Sequence, residues 1–318
     1  MCLLTVAIDQ SRRFPLVVAG NRDEFFARPA ARLSWWSPGA GQPDVLGGRD
    51  LEAGGTWLGL TAQGRLAMVT NVRAPTAPRD PKAPSRGEIV QRWLAGDAST
   101  DRFWMRTALS GYNGFNLIAA DFQRGDCFYA SNQRPNPERL ERGLYGLSNG
   151  SLDSPWPKVE ALKEATREAL ESCDTVDALA ARLFDALADR TQAEDDELPN
   201  TGVSREWEKV LSPAFIRTAD GTYGTRCSTL LITERVNKRL VTHVLERTFS
   251  PTGGMALLRR STVKDWPPRY TEAPPPEVSQ QEVVLESTET QAPNHPVRRT
   301  RVRTLLKPEP PRRACAAT

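Results

Sequence analysis

The residues best suited to chemistry lie at the start of the chain. Cys2 directly follows Met1. Cysteine is small enough for methionine removal to be expected, which would leave Cys2 carrying both a thiol and a free α-amine. Such an amine has an unperturbed pKa of about 7.7–8.0 and accepts a proton near neutrality. An amine beside its own nucleophile is one known way of activating it without histidine. Twenty residues on, Asn21-Arg22-Asp23-Glu24 supplies an amide, a cation and two carboxylates. Arg22 would favour a thiolate, and Asp23 would hold the amine in place. The plainer reading of the cluster is a solvated turn after a strand. Only His243 and His295 are present. A Cys-His or Ser-His-Asp arrangement would rest on His243 alone, and a multi-histidine metal site is disfavoured.

These groups need elements to position them. Cys2–Asp9 and Leu16–Glu24 are apolar, strand-like runs, and a hairpin through Gln10–Phe14 would bring the polar cluster back towards Cys2. A Pro-, Gly- and Ala-rich loop is expected from Glu24 to Gly48, with Trp35 and Trp36 pinning it to the core or lining a mouth. Gly54–Gly59 reads as a tight turn into a strand. Gln63-Gly64 turns into a returning strand, Leu66–Asn71. Ser85-Arg86-Gly87-Glu88 has capping-box spacing and predicts a helix through Leu94. Strands are expected at Phe115–Ala120, Cys127–Ala130 and Tyr145–Ser148. Helices are expected from Pro157 and from Asp174 or Thr175, where apolar residues recur every three or four positions. Ala193–Ser204 reads as an exposed loop. Two strands follow, Thr225–Thr233 and Arg239–Arg247, and Gly253-Gly254 leads to one more through Leu258. Asn71 reads as a turn former, Arg226 as a strand-edge arginine, and Cys127 and His243 as core or edge residues.

Composition bounds the rest. The chain has 318 residues, 39% of them hydrophobic, and a net charge of +3. Between Arg298 and Arg313, seven basic residues oppose only Glu309, so the remainder is slightly acidic. That balance disfavours a nucleic-acid-binding core. The five cysteines are scattered without a Cys-x-x-Cys, which argues against a disulfide framework or structural zinc and for a reducing, cytoplasmic compartment. Neither a secretory signal nor a transmembrane run is expected. From Pro267 proline becomes dense and aromatics vanish after Tyr270, so two parts are expected: a folded domain at 1–266 and a disordered Pro- and Arg-rich tail at 267–318.

A family resemblance runs through the first 249 residues or so. Met1-Cys2, Asn21–Phe25 with Arg28-Pro29, Gly54–Gly59, Tyr112–Leu117, Tyr145–Asn149 and Tyr223–Arg226 occur in that order. Together they resemble the NRDE family, also called the transport and Golgi organisation family. That family in turn resembles the cysteine branch of the N-terminal nucleophile hydrolases. The fold implied is an α+β four-layer αββα sandwich. The resemblance implies catalytic roles for Cys2, Asp23, Asn149 and Arg226. Asn149 would be the better oxyanion donor and Asn71 a second one. It implies ligand contacts from Asn21, Arg22, Glu24, Asn71 and Asn116. The acylases space their site arginine and aspartate by three residues. Here Arg22 and Asp23 are adjacent, and adjacent strand residues face opposite ways.

The function implied by the family is handling of a small hydrophobic anionic ligand, haem or an acyl compound, with no cofactor or metal required. The parts list also suits a cysteine amidohydrolase acting on a non-peptide N-acyl bond. A role in secretion through the basic tail is a third reading. The oligomeric state is not encoded in any pattern found.

Overall fold

The computed structural model describes residues 3–251 and 256–268. Cys2, the Gly253-Gly254 turn and all but the first two residues of the expected tail lie outside the described residues. The chain opens with β1 (Leu3–Ile8), β2 (Leu16–Phe25), β3 (Ala30–Trp36), β4 (Val45–Asp50), β5 (Leu58–Thr61) and β6 (Arg65–Asn71). Helices α1 (Gly87–Ala95) and α2 (Thr100–Ala108) follow, then β7 (Phe115–Asp121), β8 (Asp126–Ser131), β9 (Glu138–Arg139) and β10 (Gly143–Leu147). Next come α3 (Pro157–Ser172), α4 (Val176–Leu187) and α5 (Arg205–Val210), before β11 (Tyr223–Val236), β12 (Arg239–Thr248) and β13 (Leu257–Lys264).

The strands form two antiparallel sheets, ordered β10-β1-β2-β11-β12-β13 and β3-β4-β5-β6-β7-β8-β9. Strand alternation explains the layering. Leu4 and Val6 of β1 pack against Leu60, Met68 and Ile118 of the second sheet. Leu3 and Ala7, pointing the other way, pack under α3 and α4 with Leu162, Leu179 and Leu183. On the far side, α1 and α2 bury Trp93, Leu94 and Phe103 against Val69, Leu117 and Phe128. The result is a four-layer αββα sandwich, as the sequence implied.

Two expectations are corrected. The stretch from Glu24 to Gly48 is not one loop, because β3 and β4 lie within it and pair antiparallel. Trp35 lies on the edge strand and is 44% exposed, while the Trp36 Nε1 donates to Gly47 O. At α1 no capping box forms. Arg86 is the N-cap and offers no side-chain hydrogen bond. At α4, by contrast, Thr175 Oγ1 accepts from the Ala178 amide. Neither α2 nor α5 was expected. Phe103, Trp104 and Thr107 have helical spacing, but the run is short and charged.

Polar bonds tie the sheets together, among other places, at two edges. After β10, Ser148 O accepts from Thr70 Oγ1 at 2.7 Å, and Gly150 O accepts from Asn116 Nδ2 at 2.8 Å. Asn116 Oδ1 in turn accepts from the Tyr129 hydroxyl. At the other edge, buried Glu246 accepts from the Leu33 amide at 2.8 Å, and Arg259 donates to Leu33 O. Burial raises the Glu246 carboxyl above its ordinary value of 4.5. A raised folded-state value favours the fold below pH 4.5, and that advantage is lost as pH rises through the folded value. Glu246→Gln keeps an acceptor for Leu33 without the charge. Its unfolding free energy, relative to the unaltered protein, should therefore improve between about pH 4 and pH 7 in denaturant titrations. A difference constant across that range would show that Glu246 titrates alike in both states.

Candidate functional site

The register of the first sheet collects most of the candidate residues at one end. Leu147 pairs with Leu4, Leu3 with Asn21, Asn21 with Ser228, and Arg22 with Cys227. The exit of β10, the start of β1, the end of β2 and the start of β11 therefore share that end. Asn149 follows β10 there, Leu3 is the chain neighbour of Cys2, and Arg226 lies on β11. From the second sheet, Asn71 is brought alongside, because its carbonyl accepts from Asn149 Nδ2 at 2.8 Å.

The Asn21–Glu24 cluster is not a solvated turn. β2 runs on through Phe25, and Asn21, Arg22 and Asp23 are 0%, 4% and 4% exposed. Alternation divides their work. Asn21 points under the helices, where its Nδ2 donates to Leu187 O and Ala214 O and its Oδ1 accepts from Ser228 Oγ. Asp23 shares that face and accepts from Thr225 Oγ1 at 2.7 Å.

Arg22 and Glu24 take the opposite face. The Arg22 guanidinium stacks 4.4 Å from the Trp57 ring centroid, with Asp50 at 3.5 Å and Glu24 at 3.8 Å. Stacking on an aromatic face suits a planar, weakly hydrated cation. The Trp57 ring has its place because position 48 is glycine: a Cβ there would lie 2.2 Å from Trp57 Cζ2. Arg28 completes the group, donating to Asp50 at 2.7 Å. Although burial opposes ionisation of Asp50, the Arg28 hydrogen bond holds its carboxyl below the usual range.

Arg226 owes its position to a β-bulge. Thr225 pairs with Asp23 and Cys227 with Arg22, so Arg226 is the extra residue. Bulges re-aim side chains in this way. Its Nη1 donates to Phe25 O at 2.7 Å and Arg28 O at 2.8 Å, and the guanidinium stacks on Phe26. Burial and the nearby charge of Arg22 lower its pKa. Among the described residues, neither Arg22 Nη1 nor Arg226 Nε has a hydrogen-bond partner, though both are buried. Next to them, burial raises the Cys227 thiol far above its ordinary value, so it stays protonated.

Asn116 sits in the seam between the sheets, with its amide committed to Thr70 and Gly150. Asn71 exposes its side chain. Sequence reasoning assigned no role to Gly48, Asp50 or Trp57. Trp57 stood inside a quoted motif, but nothing in the spacing paired it with Arg22. A groove of about 1080 Å³ runs between α3, α4 and residues 189–197, and Ala214, whose carbonyl accepts from Asn21, is in its wall. A second cavity, of about 600 Å³, has Phe25 and Tyr223 in its wall. Neither is lined by Arg22, Asn149 or Arg226. Among the described residues no group of three His, Cys, Asp or Glu side chains could hold a metal, and no helix is long and apolar enough to cross a membrane.

The geometry makes Asn21 a pin between β2, α4 and β11. Asn21→Ala leaves two buried carbonyls and the Ser228 hydroxyl without their partner. It should lower the unfolding free energy by roughly 3 kcal/mol, at about 1–3 kcal/mol per stranded group. A loss under about 0.5 kcal/mol in chemical denaturation would remove that role.

A family model described as Transport and Golgi organisation 2 matches residues 1–251. The Homo sapiens Transport and Golgi organization protein 2 homolog is 34% identical over 254 residues, spanning 74% of this chain and 89% of that protein. The Mus musculus homolog is 33% identical over the same spans. The Drosophila melanogaster protein is 28% identical over 277 residues, spanning 79% and 93%. Among solved structures, the Caenorhabditis elegans ortholog of N-acylethanolamine-hydrolyzing acid amidase aligns with a TM-score of 0.44 and 10% identity, covering 73% of this chain and 92% of that one. A C2A mutant of conjugated bile acid hydrolase from Clostridium perfringens aligns at 0.42 and 10%, covering 82% and 96%. At those values the likeness adds nothing to the layers already described.

Proposed function

The chain belongs to the Transport and Golgi organisation 2 family, and from that premise we propose that it binds and passes on a hydrophobic, anionic small molecule, haem or a similar compound, in the cytoplasm. The observation that carries this reading is the pair of buried guanidinium nitrogens, Arg22 Nη1 and Arg226 Nε, that have no partner among the described residues at one end of the first sheet. Two neighbouring cations, each with an N–H donor that no described residue accepts from, favour a carboxylate ligand. Haem propionates meet that requirement. Cys2 thiolate is the axial contact in this reading, and a reversible one, since the chain has no Cys-x-x-Cys-His attachment motif.

Haemin titrations followed by absorbance test it. Arg226→Gln removes one cation and should weaken haemin binding about tenfold, since a hydrogen bond to a charged group contributes about 1.5–3 kcal/mol. Unchanged affinity in both Arg226→Gln and Arg22→Met would sink the reading. Cys2→Ala reports separately on iron ligation.

A second reading is favoured by the register that brings Asn149, Asp23, Arg226 and the neighbour of Cys2 to one end. The protein would then be an amidohydrolase for a non-peptide N-acyl bond. Cys2 Sγ attacks the carbonyl carbon, and the α-amine takes the thiol proton and returns it to the leaving nitrogen; water, deprotonated by the same amine, then cleaves the thioester, releasing the acid and restoring the thiol. Asn149, and Asn71 beside it, stabilise the oxyanion, while Asp23 and Arg226 order the amine and thiol. Intact mass before and after iodoacetamide is the direct check. This reading expects Met1 to be absent and Cys2 to be the fast-alkylating thiol. Retained Met1 with an inert Cys2 rules it out and leaves the carrier reading standing.

A further inference from the structure

The cavity of about 600 Å³ on the helix-facing side of the first sheet plays no part in either reading. Its walls come from β2, α5 and the turn leading into β11: Phe25, Trp207, Val210, Leu211 and Tyr223, with Glu206 and Asp220 at the rim. Phe25 and Tyr223 are register partners, and their rings meet edge to face with centroids 5.1 Å apart. Phe25 is 57% and Trp207 46% exposed, so two large aromatic surfaces are open to solvent at one place. A cavity of that volume is the size of a small-molecule site, and aromatic walls with few polar groups are its usual lining.

Charge narrows the ligand. Glu206 and Asp220 are the charged side chains of the lining, and no lysine or arginine is among them. Hydrogen bonds keep both carboxylates ionised. The Glu206 backbone amide and Ser204 hold Glu206 below its ordinary range, and the Thr218 hydroxyl and Thr222 do the same for Asp220. Arg22 lies on the other face of β2, since Phe25 and Arg22 point opposite ways. Aromatic faces bounded only by carboxylates attract organic cations, through the ring quadrupole and direct ion pairing.

We propose that this cavity is a second, independent ligand site that takes an organic cation with an apolar body, an aryl- or alkylammonium compound. The aromatic walls hold the body, and the ammonium group sits at the Glu206–Asp220 rim. Affinity then depends on both shape and charge, and anions of the same shape are rejected.

Three probes of one shape separate these contributions: 2-phenylethylammonium, 2-phenylethanol and phenylacetate, titrated by calorimetry into the full-length protein. The ammonium compound should bind about fivefold more tightly than the alcohol, as expected for a cation over exposed aromatic rings. Phenylacetate should bind more weakly than either. Trp207→Ala should abolish binding of all three. Glu206→Gln should leave the alcohol unaffected and remove most of the preference for the cation. Both substituted side chains are exposed, and thermal unfolding at the unaltered temperature will confirm that the variants fold. Equal or tighter binding of phenylacetate overturns the proposal. So does binding of the ammonium probe that survives Trp207→Ala, or no binding of it at millimolar concentration.

Discussion

Two sheets stacked across an apolar layer have no intrinsic reason to prefer one offset over another, because aliphatic contact is non-directional. In this protein the offset is fixed by directional bonds at the seam after β10. Thr70 donates to Ser148 O, Asn116 to Gly150 O, and Asn149 to Asn71 O, while the Arg73 amide donates to Asn149 O at 2.8 Å. These bonds join the edge of one sheet to the middle of the other. Asn71 and Asn116 reach the first sheet through them. A slip of one residue would strand several buried polar groups at once, so the seam has one low-energy setting.

The same economy governs the charged end. A guanidinium as buried as Arg22 is tolerable only with strong compensation. Trp57 supplies a π-face, Asp50 and Glu24 supply charge, and Gly48 supplies the room for Trp57. Among the described residues the compensation is incomplete, since Nη1 goes without a partner and Arg226 adds a second cation nearby. Structural ion pairs elsewhere show what completeness looks like. Arg65 donates to Asp121, Trp93 O and Ala98 O and stacks on Trp93, using the whole guanidinium. The contrast between Arg65 and the Arg22–Arg226 pair is what separates a packing device from a candidate site.

Much of this was legible in the sequence, for identifiable reasons. Continuous apolar runs gave β1, β2, β6, β7 and β11, because each has one face in each of two cores. The ordered motifs gave the family and the four layers. What stayed hidden depended on contacts distant in sequence. Asn21, Arg22 and Asp23 read as a polar turn because local composition cannot show that helices and a second sheet will cover both faces. β3 and β4 were masked by prolines and glycines, one of which makes way for Trp57. α5 is too short to show a period, and its buried Glu208, bonded to Arg73 and Thr201, looks like any surface acid. The opposed faces of Arg22 and Asp23, by contrast, followed from adjacency alone.

The bulge on β11 makes Arg226 a supernumerary residue. Thr225 and Cys227 already oppose Asp23 and Arg22, which are themselves consecutive, and they already face opposite layers, as consecutive strand residues should. A chain lacking position 226 would continue the ladder unbroken, with Leu230, Leu231 and every residue beyond still in its own core. The β2–β11 ladder therefore does not require this residue, although its guanidinium holds the Phe25 and Arg28 carbonyls and its own carbonyl accepts from the Phe249 amide. Its side chain is anchored on the Phe25 and Arg28 carbonyls and not on the ladder, so the chemistry of this end can change there while the register of the strands stays as it is.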